Sequence, residues 1–263
     1  MTTNMTTTRP NTAHGDRTAE PTAWLLTGLE MRKMLDTRSG FWLSLAVGVG
    51  AVLTVVVQLI WADPETADLA SYFANLLVPV AILLPVLGIL TFTSEWSQRT
   101  ALTTFVLVPR RQRVVVAKLV AGVGFATVSV VASLLLALVG NAAAIGLDRA
   151  TGSWRLPASA IACALLFQVL GVLLGMAFGM LLLNSPAAVV LYFILPTAWQ
   201  VATAAIDAIR DAAAWLNLQG AMQPLVDGGM DGRGWAQLST SALVWIAVPL
   251  GLGTIRVLRA EVK

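Results

Sequence analysis

The sequence predicts an all-α integral membrane protein with six transmembrane helices, and three observations support this prediction. Hydrophobic residues make up 57% of the 263-residue chain and charged residues only 12%, whereas an average soluble domain has about 25% charged residues. The charged residues occur in clusters and leave long uncharged windows between them. The Lys and Arg residues also concentrate in the connections that lie on one side of a six-span chain.

The spans follow from the uncharged windows. A helix needs about 20 apolar residues to cross about 30 Å of hydrocarbon, and the long window from residue 156 to 206 therefore holds two spans. The turn signal Asn184-Ser185-Pro186 separates these two. The predicted spans are residues 41–61, 72–92, 119–147, 158–183, 187–206 and 235–255.

Orientation follows from the distribution of Lys and Arg. Six spans put both termini on one side of the membrane, together with Arg32, Lys33, Arg38, Arg99, Arg110, Arg111, Arg113, Lys118, Arg256, Arg259 and Lys263. The other side receives Arg149, Arg155, Arg210 and Arg233. Because short basic loops stay in the cytoplasm, the bias predicts a multi-pass plasma-membrane protein with both termini cytoplasmic. This topology also accounts for the excess of basic residues, so we expect no nucleic-acid partner.

Two segments precede the first span. Residues 1–20 are polar and rich in Thr, which predicts a disordered cytoplasmic tail. Residues 21–38 predict an amphipathic helix along the cytoplasmic interface. Its apolar stripe is Trp24, Gly28, Met31 and Leu35, and its polar part is Glu30, Arg32, Lys33 and Asp36. The alternative is a helix that simply continues into the first span.

Three glycines in the fourth span recur at four-residue spacing. Gly171, Gly175 and Gly179 form a seam of small residues against which a second helix can pack closely. Packing within the chain and packing against another subunit are both compatible with this pattern.

The longest external connection covers residues 207–233. Its first part, residues 207–218, predicts an amphipathic helix with Ile209, Ala213 and Leu216 on one face. The Asp-Gly steps that begin at Asp227 and Asp231 predict turns before the last span.

The segment from residue 94 to 118 is a compact basic connection between the second and third predicted spans. Its charged residues are Glu95, Arg99, Arg110, Arg111, Arg113 and Lys118. Residues 100–108 are uncharged, and Leu102, Phe105, Val106 and Pro109 follow the i, i+3, i+4, i+7 spacing of a helical face. The segment therefore predicts a short amphipathic helix in a cytoplasmic loop.

This loop resembles the first cytoplasmic loop of the ABC type-2 permeases, the membrane subunits of ATP-driven exporters. In that family an acidic residue ends the second span, and a short coupling helix with an early Thr follows. A Pro with basic residues and a Lys at the start of the third span complete the pattern. The matching positions are Glu95, Thr100, Pro109, Arg111 or Arg113, and Lys118.

The resemblance implies a permease subunit that pairs with a second permease subunit, as a homodimer or heterodimer, in the lipid bilayer. Each permease would couple to a cytosolic ATPase subunit that binds ATP and Mg. The coupling residues it implies are Glu95, Arg99, Thr100, Leu102, Phe105, Val106, Pro109, Arg111, Arg113 and Lys118. It also implies short external helices before the last span. The basic cluster would face either acidic groups on the ATPase or lipid phosphates.

The sequence lacks the residues that ATP hydrolysis, catalysis within the spans and metal binding require. No lysine stands in the Gly-Lys-Ser/Thr context of a phosphate-binding loop, so we expect ATP hydrolysis on a partner and no enzymatic activity on this chain. The predicted span interiors contain no Asp, Glu, Lys, Arg or His, and the single histidine, His14, lies in the tail. We therefore expect no catalytic residues and no metal, and the substrate-binding residues stay unidentified. The alternatives are a membrane-anchored regulatory or interaction protein and an ion-gradient-driven secondary transporter.

Overall fold

A computed structural model describes residues 23–97, 111–205 and 213–259, and all regular secondary structure in these ranges is helical. The helices are α1 (Ala23–Asp36), α2 (Arg38–Trp61), α3 (Leu69–Ser97), α4 (Arg111–Gly146), α5 (Ala158–Leu182), α6 (Ser185–Ala205), α7 (Leu218–Asp227), α8 (Gly232–Ala242) and α9 (Val248–Arg259). A π-helical turn, Leu243–Ala247, joins α8 to α9. Six helices of the described ranges are long and apolar enough to cross a membrane: α2 to α6 and the continuous Gly232–Arg259. The prediction of an all-α chain with six such helices is confirmed.

Helix α3 lies at the centre of the bundle, where it packs against α2, α4 and α5. Its side chains Tyr72, Leu76 and Ile89 are fully buried. By contrast, α2 and α6 expose most of their apolar side chains. A helix that is apolar on all sides but exposed in the chain needs lipid or another protein around it.

The α3–α5 contact is close because of the glycine seam. A Cβ on Gly175 would overlap the carbonyl oxygen of Pro85, and a Cβ on Gly179 would lie 2.8 Å from that of Ile89. A Cβ on Gly171 would meet Pro85 Cγ at an ordinary 3.6 Å. The seam therefore packs against α3 within the chain, and at Gly175 and Gly179 the approach is too close for a Cβ.

A break at Thr37 separates α1 from α2. Thr37 has an extended backbone, and its Oγ1 accepts a hydrogen bond from the Gly40 N–H at 3.1 Å, as a helix N-cap does. A Cβ at Gly40 would overlap the carbonyl oxygen of Met34. The chain thus turns sharply here, and α1 does not continue into the first span.

The boundaries of the predicted basic connection, residues 94–118, are wrong. Helix α3 continues to Ser97, and α4 begins at Arg111, so the predicted loop is helical at both ends. Charged side chains do not stop a helix, whereas Pro109 stands two residues before α4 and proline suits the region just before or at a helix start. Helix α4 has 36 residues, which is about 54 Å at 1.5 Å per residue and exceeds the hydrocarbon thickness.

The turn predicted at Asn184-Ser185-Pro186 is confirmed. Leu183 adopts the left-handed conformation with φ of 52°, and the Asn184 Oδ1 accepts from the Ala187 N–H at 3.0 Å. This cap starts α6 one residue after Asn184.

The connection before the last span differs in part from the prediction. Residues 206–212 lie outside the described ranges, and the predicted helix over residues 207–218 ends early. Trp215 and Leu216 form a turn, and Asn217 caps a new helix, α7, by accepting from the Gly220 N–H at 3.0 Å. The turn predicted after Asp227 is present, with Gly228 at φ of 75°. At the second predicted turn, Asp231 caps α8, so the last helix begins at Gly232 rather than at residue 235.

The two ends of the bundle hold different elements. At one end, which we name the α1 end, the Arg111 guanidinium at the start of α4 donates to the Leu258 carbonyl in α9 at 3.2 Å. Ser185 at the start of α6 donates to Thr93 near the end of α3 at 2.7 Å. At the opposite end, the α7 end, Gln200 near the end of α6 donates to Gln219 of α7 at 2.7 Å. Most Lys and Arg residues of the described ranges lie toward the α1 end.

Candidate functional site: a buried ion cluster at the α1 end

Four charged side chains from three helices meet at the α1 end, and we name them the ion cluster. Glu30 and Lys33 come from α1, Glu95 from the last turn of α3, and Lys118 from the third turn of α4. Lys118 is only 4% exposed and Glu30 only 6%. Because charged side chains are almost never fully buried without partners, this cluster is the most unusual polar feature of the described chain.

The Lys118 ammonium has a partner for each of its three N–H groups. It donates to Glu30 Oε2 at 2.6 Å, to Glu95 Oε1 at 3.0 Å and to the Thr91 carbonyl oxygen at 3.1 Å. Its Nζ also lies 5.9 Å from the centre of the Phe92 ring, within the range of a cation–π contact. The burial cost of this charge is thus offset by a complete set of bonds.

Lys33 closes the arrangement from the more exposed side. Its Nζ donates to Glu30 Oε1 at 2.8 Å and lies 3.4 Å from Glu95 Oε1. Each carboxylate therefore contacts both ammonium groups, and the four formal charges sum to zero. Such alternation lets two like charges share one buried site without net repulsion.

The pKa values of Glu30 and Lys33, the two ion-cluster residues on α1, reflect the same contacts. Burial alone raises the pKa of the Glu30 carboxyl, but its bonds and attraction to Lys118 and Lys33 bring that pKa below its ordinary value. Partial burial alone lowers the pKa of Lys33, yet Glu30 and Glu95 raise it above its ordinary value. Both groups are therefore held in their charged forms at neutral pH.

These shifts predict how stability depends on pH. Because the pKa of Glu30 is depressed by folding, its contribution is complete above the unfolded value of about 4.3 and is lost as pH falls through the folded pKa. Thermal unfolding of the detergent-solubilised chain between pH 7 and pH 3 should show this loss. Glu30→Gln should be less stable than wild type at pH 7 and should lose less stability on acidification.

Glu65→Gln is the matched control for this series, since Glu65 is exposed in the connection between α2 and α3. It should follow the wild-type profile at every pH. If Glu30→Gln and wild type instead lose stability in parallel on acidification, Glu30 is not the group whose charge the cluster stabilises.

The fold brings two of the predicted coupling residues into contact and places others elsewhere. Glu95 and Lys118 are in direct contact, while Arg111 bonds to the backbone of α9 and Arg113 lies partly buried in the first turn of α4. The glycines of the seam face α3, Gly171 and Gly175 at Pro85 and Gly179 at Ile89. The remaining predicted coupling residues lie outside the described ranges: Arg99, Thr100, Leu102, Phe105, Val106 and Pro109.

Sequence reasoning missed Glu30 and Lys33 as members of this site. It assigned them to the polar part of an interfacial helix. Trp24 and Leu35 of its apolar stripe are exposed, with Trp24 83% accessible, while Met31 is half-buried against the core. The buried face of α1 is a different one, formed by Leu26, Thr27, Glu30 and Met34. The available signal was Glu30 on a mostly apolar helical face, at i+4 from Leu26 and i−4 from Met34.

The ion cluster connects three helices through its ion pairs. Within the described ranges, no group of three or more His, Cys, Asp or Glu side chains could hold a metal ion. The cluster instead joins α1 to the end of α3 and the start of α4, on both sides of residues 98–110.

No model of a known protein family matches the chain, and no curated protein matches it either.

Proposed function

We propose that this chain is the membrane-spanning permease subunit of an ATP-driven exporter of the ABC type-2 class. Two permease subunits would form the translocation path in the plasma membrane, each coupled to a separate cytosolic ATPase subunit that binds ATP and Mg. The observation that carries the proposal is the ion cluster, because it fixes Glu95 and Lys118, the two ends of the family-like basic segment, to each other and to α1. The six helices long and apolar enough to cross a membrane also support the proposal, because a permease subunit must span the bilayer.

In this proposal the ion cluster transmits force. The ATPase would contact the segment between α3 and α4 and displace it when ATP binds. Because Lys118 bonds to α1 and α3 from its place in α4, these helices would move as one body. Helix α1 would act as the elbow helix along the cytoplasmic interface, and α7 would help to cap the exit side.

The proposed orientation places the α1 end in the cytoplasm. The Lys and Arg residues that lie toward this end, among them Lys33, Arg111 and Lys118, support it. A reporter fused after Lys263 should therefore be cytoplasmic, and one fused after Asp148, at the α7 end, should be external. The same compartment for both fusions would contradict the six-span orientation.

The experiment that tests the function is reconstitution with a candidate ATPase, such as one encoded beside this chain's gene. The chain alone should not hydrolyse ATP, and the two proteins together should form a stable membrane complex. ATP hydrolysis by the purified chain alone would contradict the proposal.

A further inference from the structure

A cavity of about 520 Å³ lies between α3, α5 and α6 and reaches the first turn of α7. It runs from the middle of the bundle toward the α7 end, away from the ion cluster. Its volume falls within the range of about 300–1,000 Å³ that is typical of small-molecule sites. The cavity therefore has the size of a ligand site, and its lining decides the kind of ligand.

Aromatic rings form much of the cavity wall. Phe167, Tyr192, Phe193, Trp199 and Trp245 all line it. Tyr192 and Phe193 meet edge to face at 4.9 Å between ring centres, and Trp199 and Trp245 do so at 6.3 Å. Such contacts hold the rings in fixed orientations, so they offer a firm apolar surface to the body of a ligand.

The polar groups that the described residues place in the cavity wall are neutral. Amide side chains line the cavity, among them Gln168, Gln200 and Gln219, and none of its described lining residues is acidic or basic. Burying an ion without an opposite charge is costly, whereas a neutral polar group needs only a hydrogen bond. The lining thus favours an uncharged ligand with a few polar atoms.

One polar atom in the wall lacks a bond. The indole N–H of Trp245 donates to the Leu216 carbonyl oxygen at 2.7 Å. The indole Nε1 of the adjacent Trp199 is buried and has no hydrogen-bond partner among the described residues. A buried donor without an acceptor costs free energy. Because Trp199 lines the cavity, a shift of its indole ring would bring this shielded N–H to an acceptor in the cavity and satisfy it.

We propose that the cavity binds an uncharged, amphipathic small molecule, with its apolar body against the aromatic rings and an acceptor oxygen on the Trp199 indole N–H. A lipid acyl chain fits the rings but has no acceptor, and it would leave the indole N–H and the amides without new bonds. This inference does not rest on the proposed function, because ligand binding in the cavity needs no ATPase.

Benzophenone is a suitable probe because it is an uncharged pair of rings that carries one carbonyl acceptor. The full chain in lipid nanodiscs should be labelled on ultraviolet irradiation, as the excited ketone inserts into a nearby C–H bond. We expect labelling to saturate with probe concentration, and peptide mapping should place it on lining residues such as Met222.

Two variants with matched controls make the test specific. Trp199→Phe keeps a ring but removes the N–H, and it should raise the half-saturating concentration roughly fivefold, as expected for one hydrogen bond. Its control is Trp24→Phe, far from the cavity and exposed in α1. Thr197→Phe fills the cavity from α6 and should abolish saturable labelling, while the exposed neighbour Ala198→Phe should not.

Labelling that rises linearly with probe concentration and spreads over the exposed face of α2 would overturn the proposal and identify the cavity as lipid-filled. Saturable labelling that neither Trp199→Phe nor Thr197→Phe changes would also overturn it, because the probe would then bind elsewhere. Since no ATPase is present in this experiment, neither result bears on whether the chain couples to one.

Discussion

Replacing Lys118 by Met should lower the free energy of unfolding by about 3–5 kcal/mol, the cost expected when one partner of a buried ion pair is removed. Methionine fills nearly the same volume but brings no charge and no donor. Glu30 and Glu95 would then face each other with the half-exposed Lys33 as the cation they share among the described residues, and the Thr91 carbonyl would lose its side-chain donor. We expect the variant, once extracted in detergent, to unfold at a much lower temperature or denaturant concentration than wild type.

Arg32→Met is the matched control, because it also removes one positive charge from an ion pair near the α1 end. Arg32 pairs with Asp36 at 3.2 Å, but the two side chains are 78% and 65% exposed, and such pairs contribute about 0–1 kcal/mol. The double variant Lys118→Met/Glu30→Gln should cost less than the sum of its single variants, because it removes one of the two opposed carboxylates. Equal stability of Lys118→Met and Arg32→Met would contradict the assigned role of the ion cluster.

Gly175→Ala should destabilise the chain by about 1–3 kcal/mol, the usual cost of overpacking a tight core. The added methyl group would overlap the Pro85 carbonyl oxygen and lie 2.9 Å from the carbonyl carbon. These are backbone atoms of the central helix α3, so they cannot move aside by a change of rotamer. The α3–α5 separation would have to increase, and the unfolding temperature in detergent should fall.

Gly171→Ala is the control, one turn earlier on the same face of α5. Its methyl group would make an ordinary contact with Pro85 at 3.6 Å, and alanine also favours a helix over glycine by about 1 kcal/mol. We therefore expect Gly171→Ala to match or exceed wild-type stability. A Gly175→Ala variant as stable as Gly171→Ala would show that the α3–α5 contact is not limited by glycine.

The sequence predicted the helix count well and the helix ends less well, for a physical reason. Crossing hydrocarbon requires a long apolar run, and such runs are visible in one dimension. Helix ends depend instead on caps and breakers, so α3 extends past Glu95, and α4 begins at Arg111 rather than at residue 119. A charge-free window therefore underestimates the length of a helix whose ends carry charged residues.

The candidate site was predictable only in part. The family-like pattern drew attention to Glu95 and Lys118, but it gave no reason to expect that Glu30 from a separate helix would bind Lys118 at 2.6 Å. That contact depends on how the break at Thr37 lets the preceding helix α1 pack against α4, which is a tertiary property. The cavity at the α7 end was not predicted for the same reason, since its lining comes from α3, α5, α6, α7 and the π-helical turn.

We propose that the segment between α3 and α4 couples this chain to a separate ATPase. The most direct test is the affinity of the complex between the chain and that ATPase. Phe105 is the largest apolar side chain on the predicted face with Leu102 and Val106, and Thr104 lies on the other face. Truncating a buried aromatic anchor costs 2 kcal/mol or more, on the order of thirtyfold in Kd. We expect this loss for Phe105→Ala with unchanged membrane insertion, and a much smaller one for Thr104→Ala. Complex affinity and ATPase activity at wild-type levels in Phe105→Ala would contradict it.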